Sequence, residues 1–317
     1  MKKKCFCRLT RLFLLLLAVP LVITSCSSDD SIAPVVEVTP PQRPIRVEVS
    51  ENQLVNTAGA RQQTRADITF LTSFNYFEMR ANNDRYTVTK NVRGWTVDGS
   101  WPVADDNTSV TFYAYNYVDD EENDDLDYIA NNGSPYISFT TESKVPSSQH
   151  DLLVATTTTT YAEHNGTVLL TFDHACAALL FSIYKTSGVA GRTITVKKIV
   201  LGNVYKTGSF HFAGNSWDSL DEKTEFELYN AGMEVTTEAT EVPDLGYMFV
   251  IPQEPTAWVK DTNTDGAYLD VTLTIDGTTT KTGRIPFSVP LVKGEIQPVS
   301  IAIGTSLKDE NGNRIFQ

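Results

Sequence analysis

The sequence has few cysteines and no excess of positive charge, and both absences exclude classes of protein. Of the 4 cysteines in 317 residues, Cys5, Cys7 and Cys26 lie near the N-terminus, which leaves only Cys176 in the body of the chain. One thiol cannot form an intramolecular disulfide, so no disulfide framework holds the fold. The net charge of −13 argues against nucleic-acid binding, which depends on clustered lysine and arginine.

The sequence motifs of common enzymes are absent as well. There is no phosphate loop, dinucleotide fingerprint, Gly-x-Ser-x-Gly elbow or His-Glu-x-x-His pair. The carboxylates lie mostly in turn-like runs and give no pair that could be assigned as acid and base. The sequence therefore predicts no enzymatic activity and no cofactor. The histidines lack metal-ligand spacing, and they are His150, His164, His174 and His211.

The N-terminus has the pattern of an export signal. Met1 to Ser25 combines a basic start with a short apolar run, Leu12 to Ile23, that is too short for a comfortable membrane span. The end of this leader, Ile23-Thr24-Ser25-Cys26, resembles a bacterial lipobox, in which a cysteine receives diacylglycerol before cleavage. We therefore predict lipidation of Cys26, with a plain secretory signal as the alternative.

The residues that follow Cys26 predict an exposed tether. Ser27-Ser28-Asp29-Asp30 resembles the acidic export tag of surface lipoproteins, and a solvated linker is the alternative interpretation. Val35 to Pro44 is rich in proline and valine, which favours an extended chain. The sequence therefore places the lipid anchor outside the folded body.

Alternating apolar residues predict β-strands through the body of the chain. Ile45 to Val49 is a short first strand, and Asp151 to Ile183 holds two strand patterns around a polar turn, Ala162 to Gly166. No stretch outside the leader has sustained helical periodicity. We predict an all-β protein of two β-sandwich domains, although the patterns alone allow a sandwich or a barrel. The predicted segments are a signal peptide 1–25, a tether 26–44, an N-terminal domain 45–163 and a C-terminal domain 164–317.

Several local patterns refine this prediction. Asp276-Gly277 between two alternating runs indicates a hairpin. Val110 to Val118 alternates aromatic and small side chains, which predicts a half-buried strand rather than a sugar-stacking platform. Cys176, within an apolar run, is predicted to be a buried hydrophobe rather than a nucleophile. His174 is interpreted as a strand-end residue rather than a metal ligand.

Two acidic stretches raise the question of calcium. Asp119 to Asp127 could hold Ca²⁺ through carboxylate oxygens, but a solvated loop tip explains such a run as well. Asp261, Asn263 and Asp265 match the opening of a calcium loop. The twelfth position of that loop is Thr272 instead of a bidentate glutamate, so a β-turn is the better explanation. We predict no metal site, with these three residues as calcium candidates.

The central stretch also carries a family resemblance. The segment Asp151 to Ala155 (DLLVA), followed after a turn by V-x-L-x-F-x-H-A-x-A-x-L-x-F from Val168 to Phe181, resembles the central signature of Bacteroidales fimbrillins. These are Mfa-like lipoprotein subunits of type V pili. Trp101-Pro102 before Val110 to Val118, and Gly208 to Trp217, resemble further segments of the family. The resemblance implies transthyretin-like sandwich topology, a location at the cell surface or in a fimbrium, and an outer-membrane lipid anchor.

The resemblance further implies a mode of assembly. In fimbrillins an arginine-specific protease removes the first strand, and a strand of another pilin subunit refills the groove. The candidate cleavage positions are Arg46, Arg61 and Arg65, whereas Arg43 is less suitable because Pro44 follows it. The alternative interpretation is that these are ordinary surface arginines. The implied partners are other pilin subunits, the outer membrane and a host or bacterial surface ligand.

The C-terminus departs from the pattern of a stalk subunit. The donor strand of a stalk subunit is commonly C-terminal, but Thr305 to Gln317 is mostly polar and lacks long alternation, although Ile315-Phe316 could fill a pocket. This favours a tip, accessory or anchor subunit. The main rival is a surface glycan-binding lipoprotein that does not polymerise. A second rival is a surface glycosidase, which needs two carboxylates about 5–10 Å apart in a cleft.

Overall fold

The computed structural model describes residues 43–56, 74–82, 84–116, 126–130, 133–142, 149 and 151–316. Within these ranges the chain is almost entirely β-structure, as the alternating patterns predicted. The strands are β1 Arg46–Glu51, β2 Val55–Asn56, β3 Tyr76–Ala81, β4 Asp84–Asn91, β5 Gly94–Val97, β6 Val110–Tyr115, β7 Leu126–Ile129, β8 Tyr136–Thr140, β9 Leu153–Thr159, β10 Thr167–His174, β11 Ala177–Lys185, β12 Ile194–His211, β13 Ser216–Tyr229, β14 Met233–Glu234, β15 Thr240–Glu241, β16 Tyr247–Val250, β17 Tyr268–Ile275, β18 Thr279–Pro286 and β19 Glu295–Ile303.

The first sheet has the strand order β1-β10-β9-β6-β3-β4-β5. Strand β1 runs parallel to β10, whereas the other neighbouring pairs are antiparallel. Alternate side chains of these strands point to one face and form an aromatic core, because successive residues of a strand face opposite sides. Phe77, Phe112 and Phe172 are fully buried there.

Two further sheets enclose a second core. One has the order β15-β11-β19-β2 with β16 also on β11, and the other has the order β18-β17-β12-β8-β7 with β13 and β14 also on β12. Phe181 and Ile301 from the former share one buried cluster with Leu201 and Val271 from the latter. Two sheets that pack side chains from facing surfaces into a common core form a β-sandwich.

A third buried cluster connects the sheets. It includes Tyr115 of β6, Leu152 before β9, Phe210 of β12 and Cys176 between β10 and β11. Cys176 is fully buried and not disulfide-bonded, and burial raises the pKa of its thiol. The prediction of a buried hydrophobe at this position is confirmed.

The sheets do not divide the chain at one position. Strand β10, which follows residue 164, belongs to the first sheet, whereas the earlier strands β7 and β8 belong to the sheet of β12. The domain boundary predicted between residues 163 and 164 and the transthyretin-like topology both stay predictions. The polar turn at Ala162 to Gly166 overlaps a one-turn helix, α1 Tyr161–His164, whose capping box joins Thr160 and Glu163.

The predicted hairpin at Asp276-Gly277 is present between β17 and β18. Both turn residues have positive φ angles, +49° at Asp276 and +72° at Gly277. Asp276 is further fixed because its carboxylate accepts hydrogen bonds from the Thr193 amide at 3.0 Å and from Arg192 Nε at 2.6 Å. A tight connection of this kind sets the register of the two strands.

Replacing Gly277 with alanine is expected to lower the free energy of unfolding by roughly 1 kcal/mol, because a Cβ atom disfavours the left-handed conformation. The effect should be purely conformational, since that Cβ would meet no atom within 4 Å. Gly191→Ala is the matched control: its Cβ also meets no atom within 4 Å, and its φ is not in the left-handed region. Urea unfolding of both variants tests this, and equal stabilities would contradict it.

Candidate functional site

The N-terminal strand β1 lies at the edge of the first sheet. Its six residues run parallel to β10, from Arg46 opposite Thr167 to Glu51 opposite Phe172. Val47 is only 7% exposed, whereas its neighbours Arg46 and Glu48 face solvent. The strand predicted at Ile45 to Val49 is thus confirmed, with one face buried and the other exposed.

Strand β1 fills a groove in the first sheet. Strand β1 pairs with β10, and the residues just before it run beside residues 99–101, where the Trp101 amide donates to the Arg43 carbonyl oxygen at 2.8 Å. Ile45 and Val47 pack into the same buried cluster as Val168, Leu170 and Phe172. We call this the first-strand groove, and its floor is apolar.

The chain beyond β1 continues onto a second sheet. The Asn52 amide donates to the Phe172 carbonyl oxygen at 2.8 Å and the Val55 amide to the Gly294 carbonyl oxygen at 2.9 Å. Strand β2 then pairs in parallel with β19. We call residues 43–56 the N-terminal segment, and it lies along edges of two different sheets.

A buried polar cluster closes one end of the groove. His174 lies between two carboxylates: its Nε2 is 3.2 Å from Glu51 Oε1, and its Nδ1 contacts Asp151 Oδ2. The side chains of all three residues are only 1% exposed. Burial lowers the pKa of His174, but the hydrogen bond and charge of Asp151 and the charge of Glu51 outweigh it, so this pKa lies above its usual value. We call these three residues the histidine clasp.

The position of His174 in the histidine clasp agrees with its interpretation from the sequence. It is the last residue of β10, as the strand-end interpretation predicted. Sequence reasoning missed its partners, Glu51 and Asp151, because each is far from His174 along the chain. The signal available was their coincidence with the ends of apolar runs, where a charged residue is buried only if it is paired.

The structure describes one of the three candidate cleavage arginines. Arg46 is the exposed first residue of β1, and its Nη1 donates to the Asn165 carbonyl oxygen at 3.0 Å. Arg61 and Arg65 lie outside the described residues, as does Cys26. Arg43, which was disfavoured, stacks over the Tyr161 ring at 4.3 Å.

The calcium candidates lie in a hydrogen-bonded turn. The Asn263 amide donates to the Val259 carbonyl oxygen at 2.9 Å, and Asn263 Nδ2 donates to the Ala257 carbonyl oxygen at 2.7 Å. Asp261 and Asp265 flank this turn, and the prediction of no metal site, with these residues as calcium candidates, stays untested. In the part of the chain that the structure describes, no group of three His, Cys, Asp or Glu residues could hold a metal ion. Within those same ranges no helix has the length and apolar character needed to cross a bilayer.

Other predicted features can be placed as well. The alternating segment after Trp101 forms β6, in which Val110, Phe112 and Ala114 are buried, as expected of a half-buried strand. Of the acidic run Asp119 to Asp127, residues 119–125 lie outside the described ranges and the last two belong to β7.

The C-terminal tail folds back onto its own sandwich. The Ile315 amide donates to the Leu307 carbonyl oxygen at 3.0 Å, and the Arg284 amide donates to the Lys308 carbonyl oxygen at 2.8 Å. Leu307, Ile315 and Phe316 are buried in the C-terminal core. Leu307 also lines a cleft of about 750 Å³ together with residues of β18 and β19. The pocket that Ile315 and Phe316 fill therefore belongs to the same chain.

These features define an all-β sandwich protein whose N-terminal edge strand fills an apolar groove. Comparison with protein families then gives the family: residues 56–314 match the model described as Fimbrillin-like. The chain belongs to this fimbrillin-like family, which supports a fimbrial or adhesive role and a structural rather than an enzymatic one. The matched range begins after β1.

Solved structures share the fold at low sequence identity. A fimbrial protein from Bacteroides vulgatus ATCC 8482 is 17% identical, with a TM-score of 0.55 over 82% of this chain and 95% of that one. A candidate cell adhesion protein from Bacteroides ovatus ATCC 8483 is 15% identical, with a TM-score of 0.50 over 86% of this chain and 94% of that one. No curated protein matches the sequence.

Proposed function

We propose that this protein is a subunit of a type V fimbrium, or an accessory or tip adhesin of one. It is exported as a lipoprotein through Cys26 and assembled at the cell surface by removal of the first strand and strand exchange. The observation that carries the proposal is the position of β1, an edge strand that pairs with β10 and packs apolar side chains onto the core of the first sheet.

The groove has the properties that strand exchange requires. Loss of β1 would leave the backbone groups of β10 without partners along six register positions, and it would expose the floor beneath Ile45 and Val47. Each intramolecular hydrogen bond contributes about 0.5–1.5 kcal/mol, and burial of an aliphatic side chain contributes about 1.5–3 kcal/mol. An incoming strand regains both contributions, which offsets the cost of losing β1 once the covalent connection is cut.

The position of β1 discriminates among the candidate cleavage sites. A cut after Arg46 would leave most of β1 attached, because Val47 to Glu51 follow it in the same strand. A cut after Arg61 or Arg65 would separate the whole N-terminal segment, including β1 and β2. We therefore propose that cleavage occurs after Arg61 or Arg65.

The C-terminal tail favours a tip, accessory or anchor role over a stalk role. If the tail served as a donor strand, Leu307, Ile315 and Phe316 would have to leave the core in which they are buried. At about 1.5–3 kcal/mol for each side chain, this release opposes donation. The folded tail thus agrees with its mostly polar sequence.

The proposal is tested by treating surface fractions with an arginine-specific protease. N-terminal sequencing and intact mass should show a lipidated Cys26 terminus before treatment and a new terminus after Arg61 or Arg65 afterwards, together with larger species in size-exclusion chromatography. The double variant Arg61→Gln/Arg65→Gln should stay monomeric and keep its first strand. Arg93→Gln, at an exposed arginine elsewhere, is the control and should behave like the wild type.

A different result would support the rival function. If the first strand persists and the wild-type protein stays monomeric after digestion, strand exchange is wrong for this chain. A surface glycan-binding lipoprotein that does not polymerise would then be the better proposal, and binding to a glycan array would support it.

A further inference from the structure

The first-strand groove is apolar along most of its length and polar at one end. Ile45 and Val47 enter the apolar part, whereas Glu51, the last residue of β1, places its carboxylate 3.2 Å from His174 Nε2. The side chains of both residues are 1% exposed. This contact is therefore shielded from water, which makes it stronger than a surface ion pair.

The charged groups around His174 favour its protonated form. Glu51 from β1 and Asp151 before β9 contact opposite sides of the ring. Asp173, on the same strand as His174, accepts a hydrogen bond from Asn52 Nδ2 at 2.6 Å. The pKa of Lys293 is lowered by burial, although the charge of Asp173 acts to raise it. The Cys176 thiol stays neutral because burial raises its pKa.

Removal of β1 would change this balance. His174 would keep Asp151 but lose the carboxylate of Glu51 and the backbone of Asn52, which also favours the protonated ring. A buried charged group that loses one of its counter-ions is destabilised. An incoming strand that presents an apolar side chain at this position would leave that cost in place.

We propose that the groove selects its incoming strand, and that His174 recognises a carboxylate on that strand at the position which Glu51 now occupies. The partner is a strand of another pilin subunit that runs parallel to β10. It carries apolar side chains at the positions of Ile45, Val47 and Val49 and an acidic side chain two residues after the last of them. This inference rests on the proposed strand exchange and names the chemistry of its partner.

The selection should depend on pH in a defined direction. The pKa of His174 is raised in the folded protein, so the imidazolium and its contribution to binding are fully present below the usual histidine value of about 6.5. That contribution is lost as the pH rises through the raised pKa. A neutral imidazole leaves the incoming carboxylate buried near Asp151, so the preference for an acidic strand should disappear at alkaline pH.

The experiment uses the full chain with a site for a sequence-specific protease inserted between Arg61 and Arg65. After cleavage, fluorescent peptides corresponding to residues 43–54 are allowed to replace the N-terminal segment, and their binding is followed by anisotropy at about pH 6 and about pH 9, on either side of the usual histidine value. At the lower pH the peptide with Glu51 should bind about tenfold more tightly than the Glu51→Gln peptide, as for a hydrogen bond to a charged group. At the higher pH the difference should shrink, because a larger fraction of the imidazole is neutral and no longer favours the carboxylate.

Two controls keep the result specific. A Glu48→Gln peptide, altered at an exposed position of the same strand, should bind like the unmodified peptide. In a His174→Gln protein the unmodified peptide and the Glu51→Gln peptide should bind equally. If that variant fails to fold, the comparison of peptides and the pH dependence on wild-type protein decide the question alone.

The possible outcomes distinguish failure of carboxylate recognition by His174 from failure of the proposed strand exchange. If both peptides enter the groove with equal affinity at both pH values, strand exchange stands and carboxylate recognition by His174 is wrong. If neither peptide enters under any condition, the groove is not exchangeable and the proposed function itself is overturned.

Discussion

Replacing Phe172 with alanine is expected to lower the free energy of unfolding by about 3–5 kcal/mol, the range for a large aromatic side chain removed from a packed core. Phe172 is fully buried beneath the first-strand groove. Its ring lies 5.1 Å from that of Phe77 and 6.2 Å from that of Phe74, both in edge-to-face geometry. The variant therefore loses both the apolar burial and the aromatic contacts that join β10 to β3.

Urea denaturation followed by tryptophan fluorescence measures this loss. Val92→Ala is the control, because Val92 is 103% exposed and its truncation should change stability by less than about 0.5 kcal/mol. A change below about 1 kcal/mol for Phe172→Ala, well under the usual cost of such a cavity, would show that the first sheet does not depend on this core.

The second large effect is expected for Val47→Asp. A carboxylate among Val168, Leu170 and Phe172 would be buried without a partner, which costs several kcal/mol. Since β1 is an edge strand, the chain can avoid this cost by releasing β1 while the rest of the fold persists. The loss of stability should therefore be limited to the energy with which β1 is docked.

Hydrogen–deuterium exchange with mass spectrometry measures this release. Amides of β1 and β10 should exchange at least about tenfold faster than in the wild type, whereas amides of β12 and β17 should be unchanged. Glu48→Asp, which shortens an acidic side chain on the exposed face of the same strand, should leave all four strands unaffected. Faster exchange throughout the protein would show instead that β1 is integral to global stability.

The sequence predicted the strands and turns that have a local signal, which is either alternation of apolar and polar residues or characteristic turn residues. The strand at Ile45 to Val49, strand β6 within the predicted Val110 to Val118 and the hairpin at Asp276-Gly277 lie where alternation or turn residues placed them, because these signals are local. Apolar patterns at Thr193–Leu201 and Gly208–Phe212 predict two separate strands, but the structure has one continuous strand, β12. Register shifts against β13 interrupt the alternation there without ending the strand.

The candidate site was less predictable because it depends on which strands meet. Nothing in the alternation of β1 indicates that β10 is its neighbour or that the two are parallel. The contact of His174 with Glu51 and Asp151 requires three distant segments to converge, so sequence could identify the histidine only as the end of a strand. Arg61, Arg65 and Cys26, which lie outside the described residues, are still supported by sequence alone.

The parallel pairing of β1 with β10 has a consequence for polarity. A parallel neighbour cannot be joined to its partner by a tight hairpin, so the proposed exchange of β1 would not unpair an adjacent strand to which β1 is linked. A strand that replaces it in the same register has one permitted direction. The contact between two subunits would then be heterologous, with different surfaces on each side, and such contacts do not close into a symmetric pair. If such a contact were repeated, it would give a ring where the rotation closes and an open, head-to-tail filament where it does not.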